Sequence, residues 1–243
     1  MRGSSDRLQE ALRISRAIRE FEGTIRDDRE PIARKVRRWQ RLRAPHVPDW
    51  AQELRPHDPA WGERFAREAG RIREALGEDA VHDVQHIGSS AIPHLCSKPV
   101  LDMMVAARGE LPALVEAFAP LGYEHYGNSP CDHEADWLWN TEGEDCLLVV
   151  HLCAPGNPWR GTAVNFRDYL CAHPEEADLY DRRKKELSAG DGSLLEYSLG
   201  KLALFYELSG RADIWKASTP GSPVTKSAPN ALDGVQAPGG TPP

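Results

Sequence analysis

Apolar residues recur along this chain at two spacings, and the switches between them predict its elements. Over residues 59–76, Trp61, Phe65, Ala69, Ile72 and Leu76 return every three to four positions, which predicts an amphipathic helix. Residues 84–87 predict a short strand that runs into a Gly88-Ser89-Ser90 turn. A second strand is predicted over 100–106, a helix over 111–119, and strands over 137–140 and 147–153. The run Ala154-Pro155-Gly156-Asn157-Pro158 stops the last of these. Helices are predicted over 162–172, 174–188 and 194–208. Strands and helices interleave with connections of unequal length. That predicts an α+β domain with a small mixed sheet flanked by helices, not a regular doubly wound one.

The two ends read differently. Residues 6–21 place Leu8, Ala11, Leu12, Ile14, Ile18 and Phe21 on one helical stripe opposite arginines. Gly23 interrupts it, Pro31 opens a second helix that ends near Arg43, and Pro45 and Pro48 mark a linker. From Ser218 onward the chain is rich in Pro, Gly, Ser, Thr and Ala, too poor in large apolar groups to offset its ordering entropy. The expected organisation is a basic helical extension and linker over 1–47, a domain over 48–217 and a disordered tail over 218–243.

Charge sharpens this division. The 243 residues carry a net charge of −7, which argues against a general nucleic-acid binder. Residues 1–50 hold 13 basic and 8 acidic side chains, so the extension is positive while the remainder is acidic. The extension is therefore expected to pack on its own domain or on a second copy as a homo-oligomer. The run Arg34-Lys35-Val36-Arg37-Arg38-Trp39 is the feature that would suit RNA instead. No stretch has the roughly 20 apolar residues a membrane span needs. Five cysteines at irregular spacing, with no CxxC pair, fit a reduced cytoplasmic protein.

The chemistry concentrates in residues 86–105, HIGSSAIPHLCSKPVLDMMV. Asp102 interrupts an apolar strand, where an unpaired carboxylate costs several kcal/mol by order of magnitude. A small-residue turn precedes it, of the kind through which backbone N–H groups approach a phosphate. Carboxylates on the following strand are what Mg²⁺ takes as ligands in phosphoryl transfer. Structural roles are also open: Asp102 as partner of Lys98 or Arg167, His151 as a bonded core histidine, and His86 as a cap on the turn. Zinc at Cys131 and His133, or at Cys146, His151 and Cys153, is a competing arrangement, as is a Cys96 nucleophile near His94.

Several motifs in order resemble the GrpB family, whose members have a nucleotidyltransferase-like fold. They are His57-Asp58-Pro59-Ala60-Trp61, then His86-Ile87-Gly88-Ser89-Ser90-Ala91-Ile92-Pro93 with Lys98-Pro99, then His151 with Pro155-Gly156. Phe166-Arg167-Asp168-Tyr169-Leu170, Ala172-His173-Pro174, Tyr197 and Lys201 complete the match. The resemblance implies substrate or phosphate binding by Gly88, Ser89, Ser90, Lys98, Arg167, Tyr197 and Lys201. Read as an enzyme, the chain would use Asp102, His151 and His86 for proton transfer or to position the reacting group.

The departures change what the site offers. The family pattern has a second acid two residues after the first, where this chain has Met104. It has a histidine two residues before the retained one, where this chain has Val149, and a glycine where this chain has His94. Alternate strand residues share a face, so the site has lost hard metal ligands. No metal residue is assigned, and a nucleotide with Mg²⁺ is left as an open cofactor. The expected function is an enzyme with a nucleotidyltransferase-like fold acting on a small anionic metabolite by group transfer, amide formation or cyclisation in a biosynthetic pathway. The alternatives are a non-catalytic nucleotide- or metabolite-binding module and Mg²⁺-dependent nucleotidyl transfer.

Overall fold

The strand at the centre of the sheet, Cys146–Cys153, is buried at every position, which suits a strand covered on both faces. The structure is a computed structural model that describes residues 53–128, 135–143, 145–189 and 194–219, without the side chains of 126–128, 194–200 and 202–203. The expectations for the N-terminal extension, for Cys131 and His133 and for residues 220–243 lie outside the described residues.

In chain order the elements are α1 (Trp61–Leu76), β1 (Val81–Ile87), β2 (Val100–Ala107), α2 (Leu111–Phe118), β3 (Glu124–Asn128), β4 (Asp136–Glu142), β5 (Cys146–Cys153), α3 (Pro158–Ala172), α4 (Pro174–Ser188) and α5 (Leu194–Ser218). The strands form one five-stranded sheet ordered β1-β2-β5-β4-β3. Only β2 and β5 pair in parallel; the other neighbours are antiparallel. This is an α+β domain with a mixed sheet flanked by helices. No helix among the described residues is long and apolar enough to cross a membrane.

Alternation divides the sheet into two working faces. Leu101, Met103 and Val105 of β2 and Leu148, Val150 and Leu152 of β5 pack against Trp61, Ala69, Ile72 and Phe118 of α1 and α2. On the other face Met104, Ala106 and Cys153 pack against Ala163 of α3. Helices α3, α4 and α5 hold a separate cluster built on Phe166, Tyr169, Leu170, Tyr180 and Leu208, which also takes in Ile92 and Leu95 after the turn.

Three differences from the sequence pattern have physical causes. Strand β3 carries no apolar alternation, because it is an edge strand paired only with β4 and irregular between His125 and Gly127. Helix α3 starts at Pro158, not Thr162: Asn157 caps it by accepting from the Trp159 N–H at 2.8 Å, and Pro158 loses nothing at a first-turn position. Helix α5 runs on to Ser218 instead of stopping at Leu208. Ser209 and Gly210 weaken a helix by propensity, yet Leu208 and Ala212 are core residues, and Asn165 donates to Asp213 at 2.8 Å.

Two local features of the chain around the turn carry a measurable cost. His86 points to the α1 face, its ring stacked on Phe65 with centroids 5.1 Å apart and its Nε2 3.1 Å from Ser90 Oγ. Burial pushes its pKa down from 6.5 to about 4, Asp102 pulls it up, and Arg167 and His57 add to the fall. His94, where the family resemblance calls for glycine, holds a φ of 66°, in the region that an L side chain enters at a cost.

Both features predict stability effects. The neutral folded His86 contributes fully above the unfolded value of 6.5, and this contribution is lost as pH falls toward about 4. The full loss is on the order of 3 kcal/mol. Thermal melts of His86→Gln across this window should show a shallower acid-side fall than the wild type. Replacing the exposed His94 by glycine should raise stability by about 0.5–1 kcal/mol, measured by urea unfolding, because strain relief exceeds the added chain entropy.

Candidate functional site

Parallel pairing of β2 with β5 sets Asp102 opposite Val149 and Met104 opposite His151. Asp102 and His151 therefore occupy one diagonal of a square on the face turned away from α1, and Met104 and Val149 occupy the other. Along the polar diagonal, His151 Nε2 lies 3.4 Å from Asp102 Oδ1. The Asp102 side chain is 29% exposed and that of His151 9%, so solvent reaches the carboxylate more than the imidazole. Strand β4 extends the square: Trp139 stands opposite Val149, and Trp137 opposite His151. The Trp137 ring meets the His151 ring edge-to-face at 5.1 Å.

Gly88 closes the site from the β1 side. Its φ of 73° and ψ of −172° lie in a region that is nearly exclusive to glycine. A Cβ added there would stand 2.6 Å from Asp102 Oδ2. The turn and the carboxylate are thus in direct contact, and anything seated on Gly88 and Ser89 meets Asp102. Ser90 is buried beneath, held by His86.

The segment between the turn and β2 is pinned from two sides. Arg55 and Ser97 exchange backbone hydrogen bonds of 2.8 and 2.9 Å. From α4, Asp181 accepts from the Cys96 N–H at 2.9 Å while the Lys184 ammonium donates to the Cys96 carbonyl. Lys184 is 1% exposed; burial drives its pKa down to about 8 against the pull of Asp181, and Lys201 of α5 is close enough to lower it further. The result places half-buried Lys98 just ahead of β2 and Lys201 on the helix facing the pinned segment.

The structure sorts the residues singled out from the sequence. Asp102, His151, Gly88 and Ser89 come together, with Lys98 and Lys201 on the segments around them. His86 does not join them by side-chain direction: Ile87 faces Asp102 and His86 faces α1. Arg167 is turned to packing. It donates to Gln85 Oε1 at 2.9 Å, to the His86 carbonyl at 2.7 Å and to Asp168 at 2.9 and 2.7 Å, which ties α3 to β1 and occupies four of its N–H groups. The partner found for Asp102 is His151. Tyr197 lies on α5, and its side chain is outside the described residues.

The arrangement does not fit a metal ion. Asp102 is the one carboxylate of the square, Met104 and Val149 supply no hard donor, and the His151 Nε2 is turned to Asp102. Among the described residues no group of three His, Cys, Asp or Glu side chains is placed to hold one. The zinc alternative fails on alternation: Cys146 packs on the α1 face with the core, whereas Cys153 lies on the α3 face.

Lys184 and Tyr180 escaped the sequence reading. They lie one turn apart on α4, within a run of basic residues that reads as a solvated face. Yet Tyr180 is buried, and burial together with the Asp102 charge raises the pKa of its phenol. The one sequence signal was position: Tyr180, Lys184 and Ala177 follow the buried spacing of the helix.

Comparison with known proteins finds relatives in both fold and sequence. A crystal structure of the conserved protein GrpB from Enterococcus faecalis superposes with a TM-score of 0.60 at 28% identity, over 67% of this chain and 99% of that one. A UPF0157 protein of Halalkalibacterium halodurans is 31% identical over 152 residues, 61% of this chain and 76% of the relative. A fainter likeness is to a structure of Cid1 in complex with its short product ApU, with a TM-score of 0.40 and 13% identity over 62% of this chain and 49% of the other. Residues 52–211 match the family described as GrpB protein. From the segment before α1 to within α5, then, the chain belongs to the GrpB family.

Proposed function

We propose that the protein is an enzyme that transfers a group, forms an amide or closes a ring on a small anionic metabolite, with Asp102 and His151 as its proton-transfer pair. The observation that carries this reading is the 3.4 Å approach of His151 Nε2 to a carboxylate that is still open to solvent and touches the Gly88 turn. Two buried-strand residues that only needed to satisfy each other would both be sealed. Here one is left reachable, where it can take a proton from a bound nucleophile while the imidazole shares the charge.

In this reading the anionic part of the substrate sits against Gly88 and Ser89, drawn by Lys98 and Lys201. Arg167 and His86 hold the turn in place rather than touching the substrate. Mg²⁺-dependent nucleotidyl transfer is disfavoured by the donor set, since a divalent ion would have a single carboxylate. The binding-module alternative draws on the burial of Met104 and Val149, which fill two corners of the square.

Two experiments test this. The purified protein is incubated with a panel of carboxylate and phosphate metabolites, with and without ATP, and products are followed by mass spectrometry. Turnover is expected, unchanged by EDTA, and reduced at least about 100-fold by Asp102→Asn or His151→Gln while both variants still melt cooperatively. Ligands that shift the melting temperature without any product, equally in wild type and Asp102→Asn, would make the protein a binding module. In the second experiment Gly88→Ala should lose about 1–3 kcal/mol of stability by denaturant unfolding, from backbone strain and the clash with Asp102.

A further inference from the structure

Two indoles of β4 line one side of the square. Val149 lies between Asp102 and Trp139, and His151 lies between Met104 and Trp137, all on one face. Met104, Val149 and Trp139 are buried, whereas Trp137 is half-buried like Asp102. The indole planes of Trp137 and Trp139 are tilted by 34° with centroids 6.3 Å apart, and the edge-to-face contact with His151 fixes the Trp137 plane. The reachable apolar surface beside the proton-transfer pair is therefore the exposed part of the Trp137 indole, with Val149 sealed beneath it. A planar apolar ring would gain from stacking on that indole face.

We propose that Trp137 is the specificity-determining wall of this site and that the substrate is an aryl anion: a planar aromatic ring bearing a carboxylate or phosphate. The ring lies against Trp137, and the anionic group points toward Gly88, Lys98 and Lys201. This rests on the reading of an anionic substrate next to Asp102 and adds the ring to it. The chemistry at the ring's edge is then screened from bulk water, which strengthens the interaction of the substrate with the carboxylate and imidazole.

The test uses the full chain and two probe pairs, benzoate against acetate and phenyl phosphate against inorganic phosphate. Affinity is read by calorimetry and the site by the indole N–H signals of ¹⁵N-labelled protein. At least one aryl member should bind about tenfold or more tighter than its simple partner and move the Trp137 indole signal, identified by its loss in Trp137→Leu. Which pair responds distinguishes carboxylate from phosphate. Trp137→Leu should remove the aryl advantage and leave the affinity for the simple anion in place, while Trp137→Phe should keep most of the advantage. Lys201→Ala should weaken both members of the pair. Equal affinity for aryl and simple anions in the wild type would overturn the aromatic wall and leave the anion site standing. No binding by any of the four probes would overturn both.

Discussion

A carboxylate set in a nearly buried strand constrains everything around it. Asp102 sits next to the fully buried central strand, and its charge has to be met by groups already on that face. Parallel register with β5 meets it with His151 one residue-pair away, and the absence of a side chain at Gly88 leaves Oδ2 its space. Neither solution would work alone. A one-residue slip between β2 and β5 would send the imidazole into the α1 core and leave Asp102 against leucines.

Because the register is so binding, the rest of the molecule serves to fix it. Leu101, Met103 and Val105 hold β2 to α1 and α2 from one side, while Met104 and Ala106 hold it to α3 from the other. The segment that leads into β2 is clamped at Cys96 by Asp181 and Lys184, so α4 governs where the strand begins. A buried lysine would be costly by itself; paired with Asp181 and donating to a carbonyl, it becomes a rigid strut. Arg160 and Arg167 do the same for β1 by joining Asp83, Gln85 and the His86 carbonyl to α3.

Much of this was legible in the sequence, for reasons that also explain what was not. Asp102 and His151 stand out because each is a lone polar residue in an apolar run, and two such residues are best accommodated in one cavity. The helices α1 and α4 are read from their periodicity. Strand β3 is not, since an edge strand with little burial has no pattern to show. The end of α5 is hidden because Ser209 and Gly210 obey packing rather than propensity. His86 and Arg167 carry polar groups close to the site in sequence, but strand alternation turns His86 away, and a chain of hydrogen bonds engages Arg167. Lys184 is the reverse case: buried chemistry disguised as a solvated basic run.

The apolar corners of the square, where the family resemblance calls for polar residues, have a consistent physical build. A methionine at position 104 needs cover for its thioether on this face. Here its sulfur lies 3.7 Å from Cys153 Sγ, and Ala163 covers it from α3. Val149 is likewise covered, by Trp139 and by the half-buried Trp137 and Val100. Both apolar corners are packed, so the apolar diagonal is as well built as the polar one. Strands β2, β4 and β5 hold the Asp102–His151 pair among buried apolar side chains, which lowers the local dielectric and makes that contact electrostatically stronger than it would be in water.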